Sequence, residues 1–238
     1  SAHLGVMPDG RTPSVYSMLT QGAAWATVRR RVENNLEIAP AELNLAAAEV
    51  ELAGVVGREL ILRDLIQAEA DTCDVLIMDC GPSLGVLTLN ALAAANEVII
   101  PLQPHFLALH GLAKLFETTG LVARRLNPGL RVSAVVLTLC DANTRLAQEV
   151  ITDLTAFLER ARTTTTPWSQ AKLMSTRIRR NIKLAECPSF GRSIFTYAAT
   201  SHGAEDYARL AQEVLALAGH APKPAVEQTA PMMVPAGV

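Results

Sequence analysis

The sequence lacks the features that define three large classes of protein. No stretch reaches the about 18 uninterrupted apolar residues of a membrane-spanning helix, so a soluble protein is expected. The four cysteines are scattered and form no C-x-x-C pair, which argues against a zinc or disulfide framework and favours reduced thiols in a cytosol. The pattern G-x-x-x-x-G-K-[ST] occurs nowhere, so the loop that would cradle nucleotide phosphates is not in this sequence.

Length and composition indicate one globular domain followed by a short tail. The chain has 238 residues, half of them apolar, and a formal net charge of −2, which does not exclude a local basic patch. No signal peptide precedes Met7, the first methionine, and the opening Ser1-Ala-His reads as if the chain were cut at its front end. Four prolines interrupt the segment 219–238, which is expected to be disordered.

Hydrophobic periodicity predicts strands that alternate with helices. The predicted strands are Leu36–Pro40, Val75–Asp79, Glu97–Leu102 and Val132–Leu139, with weaker signals at Leu173–Ile178 and Ser193–Thr196. The predicted helices are Leu43–Ile66 with a break near Gly54 or Gly57, the stretch after a cap at Ser83, Leu109–Leu126, Leu146–Phe157 and Gly203–Ala218. Such alternation favours an α/β fold with a doubly wound, mostly parallel sheet.

The most informative pattern is Val75-Leu-Ile-Met-Asp79-Cys-Gly-Pro-Ser83-Leu-Gly. Four apolar residues end on Asp79 and pass directly into a Gly-Pro turn, as when a buried parallel strand presents a carboxylate at the ligand-binding edge of an α/β sheet. In P-loop NTPases an aspartate at this place, the Walker B residue, helps to hold the magnesium of the nucleotide. From its spacing alone, Asp79 is explained equally well as a strand-end residue that caps the next helix.

Several segments, taken in order, resemble the ParA/Soj family of chromosome and plasmid partitioning ATPases, which belongs to the deviant Walker A, MinD-like class of P-loop NTPases. The segments are 38–52, 79–92, 98–103, 137–141, 144–145, 180–191 and 201–205. The resemblance extends over 1–218, which are expected to form one ParA-like domain. It implies a P-loop NTPase fold truncated at its N-terminus, because the family's first strand, phosphate-binding loop, following helix and next strand are absent.

Two smaller departures from the family pattern concern the predicted site. The sequence has Gly81-Pro82 where the family usually has Pro-Pro, and Arg179-Arg180-Asn181 where it has Pro-Arg-Asn. The missing first strand has a larger consequence, because the resemblance places it in the centre of the sheet. Residues 1–238 alone are therefore expected to expose strand edges and to aggregate or stay partly molten.

The resemblance implies roles for three places in the sequence. Asp79 would be the magnesium-side carboxylate, acting through a water molecule. Gly81, Pro82 and Ser83 would form a switch that senses the γ-phosphate and moves on hydrolysis. Asn181 would contact the nucleotide base, since an amide offers both a donor and an acceptor. A plain strand-to-helix turn and a loop or helix-capping asparagine are the alternatives for the last two places.

A basic cluster follows near the end of the predicted domain. Its members are Arg177, Arg179, Arg180, Lys183 and Arg192. These five cations lie within sixteen residues that contain one acid, Glu186, and could grip DNA phosphates without reading the base sequence. A solvated basic face is the alternative, and no aromatic stacking platform is expected among these residues.

The resemblance implies an ATPase of DNA partitioning for the intact protein. Such a protein binds ATP and Mg²⁺, forms a homodimer around two nucleotides, binds non-specific DNA in that state and is stimulated by a ParB-type centromere-binding protein. It is expected in the cytoplasm, associated with the nucleoid and not with a membrane, and this chain alone is expected to be inactive. The alternatives are a truncated, non-catalytic paralogue that binds DNA or a partner, and a related ATPase that positions another cargo.

Overall fold

A three-stranded parallel sheet with helices on both faces forms the centre of the computed structural model, which describes residues 1–7, 9–69, 73–140, 145–217 and 219. The strands are β1 (Arg30–Glu33), β2 (Leu36–Ile38), β3 (Glu97–Leu102), β4 (Arg131–Cys140) and β5 (Lys172–Arg179). The α-helices are α1 (Val15–Gln21), α2 (Trp25–Val28), α3 (Leu45–Glu51), α4 (Ile61–Gln67), α5 (Val86–Ala94), α6 (Phe106–Arg125), α7 (Arg145–Ala161), α8 (Ile182–Phe190), α9 (Ile194–Tyr197) and α10 (His202–Leu217). Short 3₁₀ helices cover Ala2–Leu4 and Leu52–Gly54.

Strand β4 lies between β3 and β5, and both pairings are parallel. Its side chains alternate between two cores, as the period of a strand requires. Val135 and Leu137 pack in one core with helices α6 and α7, whereas Ala134 and Val136 pack in the other with α10. Since burying one such side chain fully contributes about 1.5–3 kcal/mol, these two apolar faces hold the layers together. The predicted doubly wound α/β architecture is confirmed.

Two of the stronger strand predictions are confirmed with nearly the predicted bounds. Glu97–Leu102 is strand β3, and Val132–Leu139 lies within β4. The weaker prediction at Leu173–Ile178 is also confirmed, because it lies within β5. The prediction at Ser193–Thr196 is wrong, since this segment lies in the short helix α9 and its N-cap.

The segment Val75–Asp79 was predicted as the strongest strand, and that prediction is wrong for this structure. The segment has no regular secondary structure, and Val75 and Ile77 are 58% and 86% exposed. A strand needs a neighbour to pair its N–H and C=O groups, and an apolar parallel strand needs cover on both faces. Within the described ranges no strand pairs with this segment, so Val75 and Ile77 remain in solvent.

The N-terminal part of the chain forms a smaller helical cluster beside the sheet. Leu19, Ala48 and Leu52 form its core, and Leu87 of α5 packs against them. The helical prediction for 43–66 is confirmed, with the break at the 3₁₀ helix and the turn that follows. A separate antiparallel hairpin joins β1 to β2, and Arg29 and Arg31 near its start pair with Glu37.

Helices α6, α7 and α10 lie close to their predicted positions, whereas α1, α2 and α8 were not predicted. Helix α5 begins after Gly85 at its N-cap, and not after Ser83 as predicted. None of the helices in the described ranges is both long and apolar enough to cross a bilayer. The predicted disordered tail falls almost entirely outside the described residues, which end at Gly219.

Candidate nucleotide switch and basic surface

Asp79 and the predicted switch lie in an exposed loop that leads into helix α5. Asp79, Gly81, Pro82 and Ser83 are all exposed and have no regular secondary structure. The loop is tied to the helix by one short hydrogen bond, in which the Thr88 hydroxyl donates to the backbone carbonyl of Ser83 at 2.6 Å. Thr88 is buried, so the end of the loop is anchored while Asp79 and Gly81 remain accessible.

The same loop ends in a close contact between Gly85 and helix α3. A Cβ atom added at Gly85 would lie 1.9 Å from Glu49 Oε1 and 2.8 Å from its Cδ. No side chain fits at residue 85 unless the Glu49 carboxylate moves. Glu49 Oε1 is itself buried and has no hydrogen-bond partner among the described residues. This contact joins two segments separated by 36 positions, and no signal in the sequence predicts it.

Gly85→Ala is therefore expected to lower the free energy of unfolding by about 1 kcal/mol, because the carboxylate has to leave its site. The cost is moderate, since the displaced atoms are the far end of a flexible side chain. Urea denaturation measures this change in the free energy of unfolding. Gly54→Ala is the matched control, because a Cβ there meets nothing within 4 Å. In the double variant with Glu49→Ala the cost of the added methyl should disappear. Equal costs for Gly85→Ala in both backgrounds would show that this contact is not formed.

Asn181 lies directly after β5, at the carboxyl edge of the sheet. It is the N-cap of α8, and its side-chain oxygen accepts a hydrogen bond from the Lys183 backbone N–H at 2.8 Å. The capping alternative is thus observed in this structure. The amide nitrogen faces Gly203, where an added Cβ would lie 3.2 Å from it. The cap uses only the oxygen, so the proposed contact of Asn181 with a nucleotide base stays a prediction.

The predicted basic cluster divides into paired and unpaired cations. Arg179 reaches across to α10, where its Nη2 atom lies 2.6 Å from Asp206 Oδ1 and 3.1 Å from Glu205 Oε2. The Arg179 backbone N–H also donates to Asp206 Oδ2 at 3.0 Å. Lys183 pairs with Glu186 at 2.9 Å. The others, Arg177, Arg180 and Arg192, are exposed and form no ion pair with another described residue.

The Asp206 carboxylate is the buried centre of this network, with only 4% of its side chain exposed. Desolvation raises its pKa, but the hydrogen bonds from the Arg179 side chain and backbone outweigh that effect, so the pKa of Asp206 is lowered. A hydrogen bond from Arg179, followed by the charge of Arg209, also lowers the pKa of Glu205. Both carboxylates are therefore ionised at neutral pH, and they fix β5 against α10.

A cleft of about 330 Å³ opens beside this network, at the end of β4 and along β5. Arg177, Arg179 and Arg209 line it together with Asp206 and the end residue of β4, Cys140. The cleft does not include Asp79 or the Gly81–Ser83 loop, so the structure does not bring the two predicted sites together in one pocket.

An aromatic pair stands beside the basic cluster, contrary to the expectation that none would be found there. The rings of Phe190 and Tyr197 stack with centroids 4.8 Å apart and planes inclined by 25°. Phe190 lies within the basic stretch itself, two residues before Arg192. Tyr197 comes from the next helix, and only the turn between α8 and α9 brings the two rings together.

Comparison with known proteins identifies the family of this chain. Residues 1–132 match the family model described as an AAA domain. The chain is 41% identical over 207 residues to the chromosome-partitioning ATPase Soj of Treponema pallidum, covering 87% of this chain and 78% of that protein. It is 37% identical over 214 residues to the sporulation initiation inhibitor protein Soj of Bacillus subtilis, covering 90% and 80%. The chain belongs to the ParA/Soj family of partitioning ATPases.

Solved structures agree with the P-loop NTPase fold of the ParA/Soj family. The cobyrinic acid a,c-diamide synthase of Mycobacterium smegmatis, bound to an ATP analogue and magnesium, is 30% identical with a TM-score of 0.64, covering 79% of this chain and 73% of that one. The McdA–ATP complex of Cyanothece has a TM-score of 0.75 at 14% identity, covering 93% and 81%, and shows the fold alone. The chain thus has the α/β fold of nucleotide-binding proteins.

The donors among the described residues can be compared with those that Mg²⁺ takes in nucleotide sites. Nowhere in the described ranges do three or more His, Cys, Asp or Glu side chains come together as metal ligands. Mg²⁺ bound with a nucleotide takes only one or two protein carboxylates, together with phosphate oxygens and water. The single exposed carboxylate of Asp79 fits that set of donors.

Proposed function

We propose that this protein is a nucleotide-switched ATPase that partitions DNA. In the proposed cycle it binds ATP and Mg²⁺, dimerises, binds DNA without sequence preference and is stimulated by a ParB-type centromere-binding protein. It would act in the cytoplasm on the nucleoid. Beside membership of the ParA/Soj family, the observation that carries the proposal is the set of exposed, unpaired arginines on β5 and at the two ends of α8, which are Arg177, Arg180 and Arg192. Phosphate contacts from such cations give affinity without sequence information.

In this proposal, some residues of the chain form a nucleotide switch and others form a DNA-binding surface. Magnesium bound with ATP supplies charge neutralisation between the β- and γ-phosphates, and Asp79 would hold it through water. The Gly81–Ser83 loop is accessible at one end and anchored at the other through Thr88. A change in this loop would therefore be transmitted to α5 and, through the Gly85 contact, to α3. Asn181 would add a contact to the nucleotide base.

DNA binding is tested with the protein preceded by the phosphate-binding loop that the family resemblance places ahead of Ser1. We expect binding to duplex DNA with ATP and much weaker binding with ADP, with an affinity that falls steeply as salt is raised. Arg180→Ala should weaken binding to all sequences alike and reduce the magnitude of the salt slope by about 1, because one phosphate contact is lost. Fluorescence anisotropy at several salt concentrations measures both quantities.

Arg162→Ala is the matched control, since Arg162 is an exposed arginine at the end of α7 that pairs with Glu159. It should leave the salt slope unchanged. An equal effect of both substitutions would contradict the assignment of the basic surface, and a lack of DNA binding with any nucleotide would overturn the proposed function. Binding that needs no nucleotide would support the non-catalytic binding module instead.

A further inference from the structure

The stacked pair of Phe190 and Tyr197 is held in place by a network of side chains. The Tyr197 hydroxyl donates to Glu186 Oε2 at 2.7 Å, and the Lys183 ammonium donates to the same oxygen at 2.9 Å. The Lys183 nitrogen also lies 5.7 Å from the centre of the Tyr197 ring. The hydrogen bond from Tyr197, followed by that from Lys183, lowers the pKa of Glu186, so this carboxylate stays ionised and holds both groups at neutral pH.

This network fixes Tyr197 and leaves Phe190 available. Tyr197 is partly buried and contacts the buried cluster around Cys187, whereas Phe190 is 60% exposed. One face of the Phe190 ring stacks on Tyr197, so its exposure is that of the opposite face and edge. The stack on Tyr197 holds the Phe190 ring in one place, and immobilising a side chain in advance lowers the entropy cost of binding a flat partner.

The charges around the ring indicate the chemistry of that partner. Arg180 lies before α8 and Arg192 follows it, so the helix that carries Phe190 has an exposed cation near each end. A ring beside cations suits a ligand that is flat, apolar on its faces and attached to a phosphate backbone. A nucleobase in a single strand meets these conditions, because stacking on an aromatic side chain tolerates any base. In duplex DNA the faces of the bases are already stacked.

We propose that the exposed face of Phe190 stacks on an unpaired nucleobase, so that the basic surface binds single-stranded DNA more tightly than its charges alone would allow. The inference rests on the proposed DNA binding and names the form of DNA that this surface prefers to contact. Phe190 supplies the stacking face, Tyr197 supports it from behind, and Arg180 and Arg192 contact the phosphates.

Phe190→Leu tests the inference, because leucine keeps apolar volume and removes the aromatic face. Binding of a fluorescent oligothymidine strand and of a duplex of the same length is compared in the presence of ATP. Phe190→Leu should weaken binding to the single strand by about 5- to 100-fold and change duplex binding by less than about 2-fold. Phe190→Trp should retain single-strand binding, and its added indole fluorescence should be quenched by the strand. Thermal melting of each variant checks that it is folded.

The outcomes separate this inference from the proposed function. If the wild-type protein binds neither DNA, both fail. If it binds duplex DNA but Phe190→Leu weakens both forms equally, or weakens neither, the stacking site is overturned while the proposed function stands. If the single strand does not quench the fluorescence of the Phe190→Trp indole, the ring does not stack on a base and the inference is overturned.

Discussion

Replacing Asp79 by alanine is expected to reduce ATP turnover by at least about 100-fold, the effect of removing one group that stabilises charge in a transition state. The experiment uses the protein with the phosphate-binding loop ahead of Ser1. In the proposed site Asp79 is the carboxylate on the magnesium side. ATP turnover is measured with and without duplex DNA, and ATP binding is measured with magnesium and with a chelator.

Substitution of Asp79 should change ATP turnover without changing the stability of the fold. The residue is exposed in an irregular loop, so its substitution should change the free energy of unfolding by less than about 0.5 kcal/mol. Asp74→Ala is the control, because Asp74 is an exposed aspartate in the same segment. If Asp79→Ala hydrolyses ATP like the wild type, Asp79 is not the magnesium-side residue. Residues 1–238 alone, assayed in parallel, should show no turnover.

Asp206→Ala is expected to have the largest effect on stability, lowering the free energy of unfolding by about 2–3 kcal/mol. The carboxylate is almost completely buried and accepts hydrogen bonds from both the side chain and the backbone of Arg179. Its loss leaves a buried backbone N–H without a partner and a guanidinium without its main anion. Because 43% of the Arg179 side chain is exposed and water can solvate it, the cost is smaller than for a fully buried pair.

The same contact predicts how stability depends on pH. The pKa of Asp206 is lower in the folded protein than its usual value of about 3.9, so its contribution is complete above that value and disappears as the pH falls toward the folded pKa. The pKa values of Glu186, Glu205 and Glu213 are lowered as well and act in the same direction. Urea denaturation at neutral pH and at about pH 3.5 should therefore show a smaller acid loss in Asp206→Ala than in the wild type.

Asp153→Ala is the control for this measurement, because Asp153 is exposed on α7. The midpoint urea concentration of this variant should equal that of the wild-type protein at both pH values. An Asp206→Ala protein that loses as much stability in acid as the wild type would show that Asp206 is not the group responsible.

Elements whose cause is local can be predicted from the amino-acid sequence. Strands β3 and β4 follow from apolar, β-branched stretches without an internal charge. Helices α7 and α10 follow from apolar residues at helical spacing. The family could also be recognised from the sequence, because its motifs occur in family order in a chain that is 41% identical to a Soj protein. The basic cluster could be recognised from the sequence, because five cations lie within sixteen residues.

Contacts between distant segments set which of these residues are accessible and unpaired. The stretch Val75–Asp79 has the composition of a strand but no neighbouring strand to pair with, and pairing is not a local property. Arg179 and Asp206 are 27 positions apart, so their hydrogen bonds divide the basic cluster in a way that spacing does not reveal. The approach of Glu49 to Gly85 and the stacking of Phe190 on Tyr197 depend equally on how helices pack. Contacts between distant segments arise from the packing of the whole chain, and a local pattern carries no information about them.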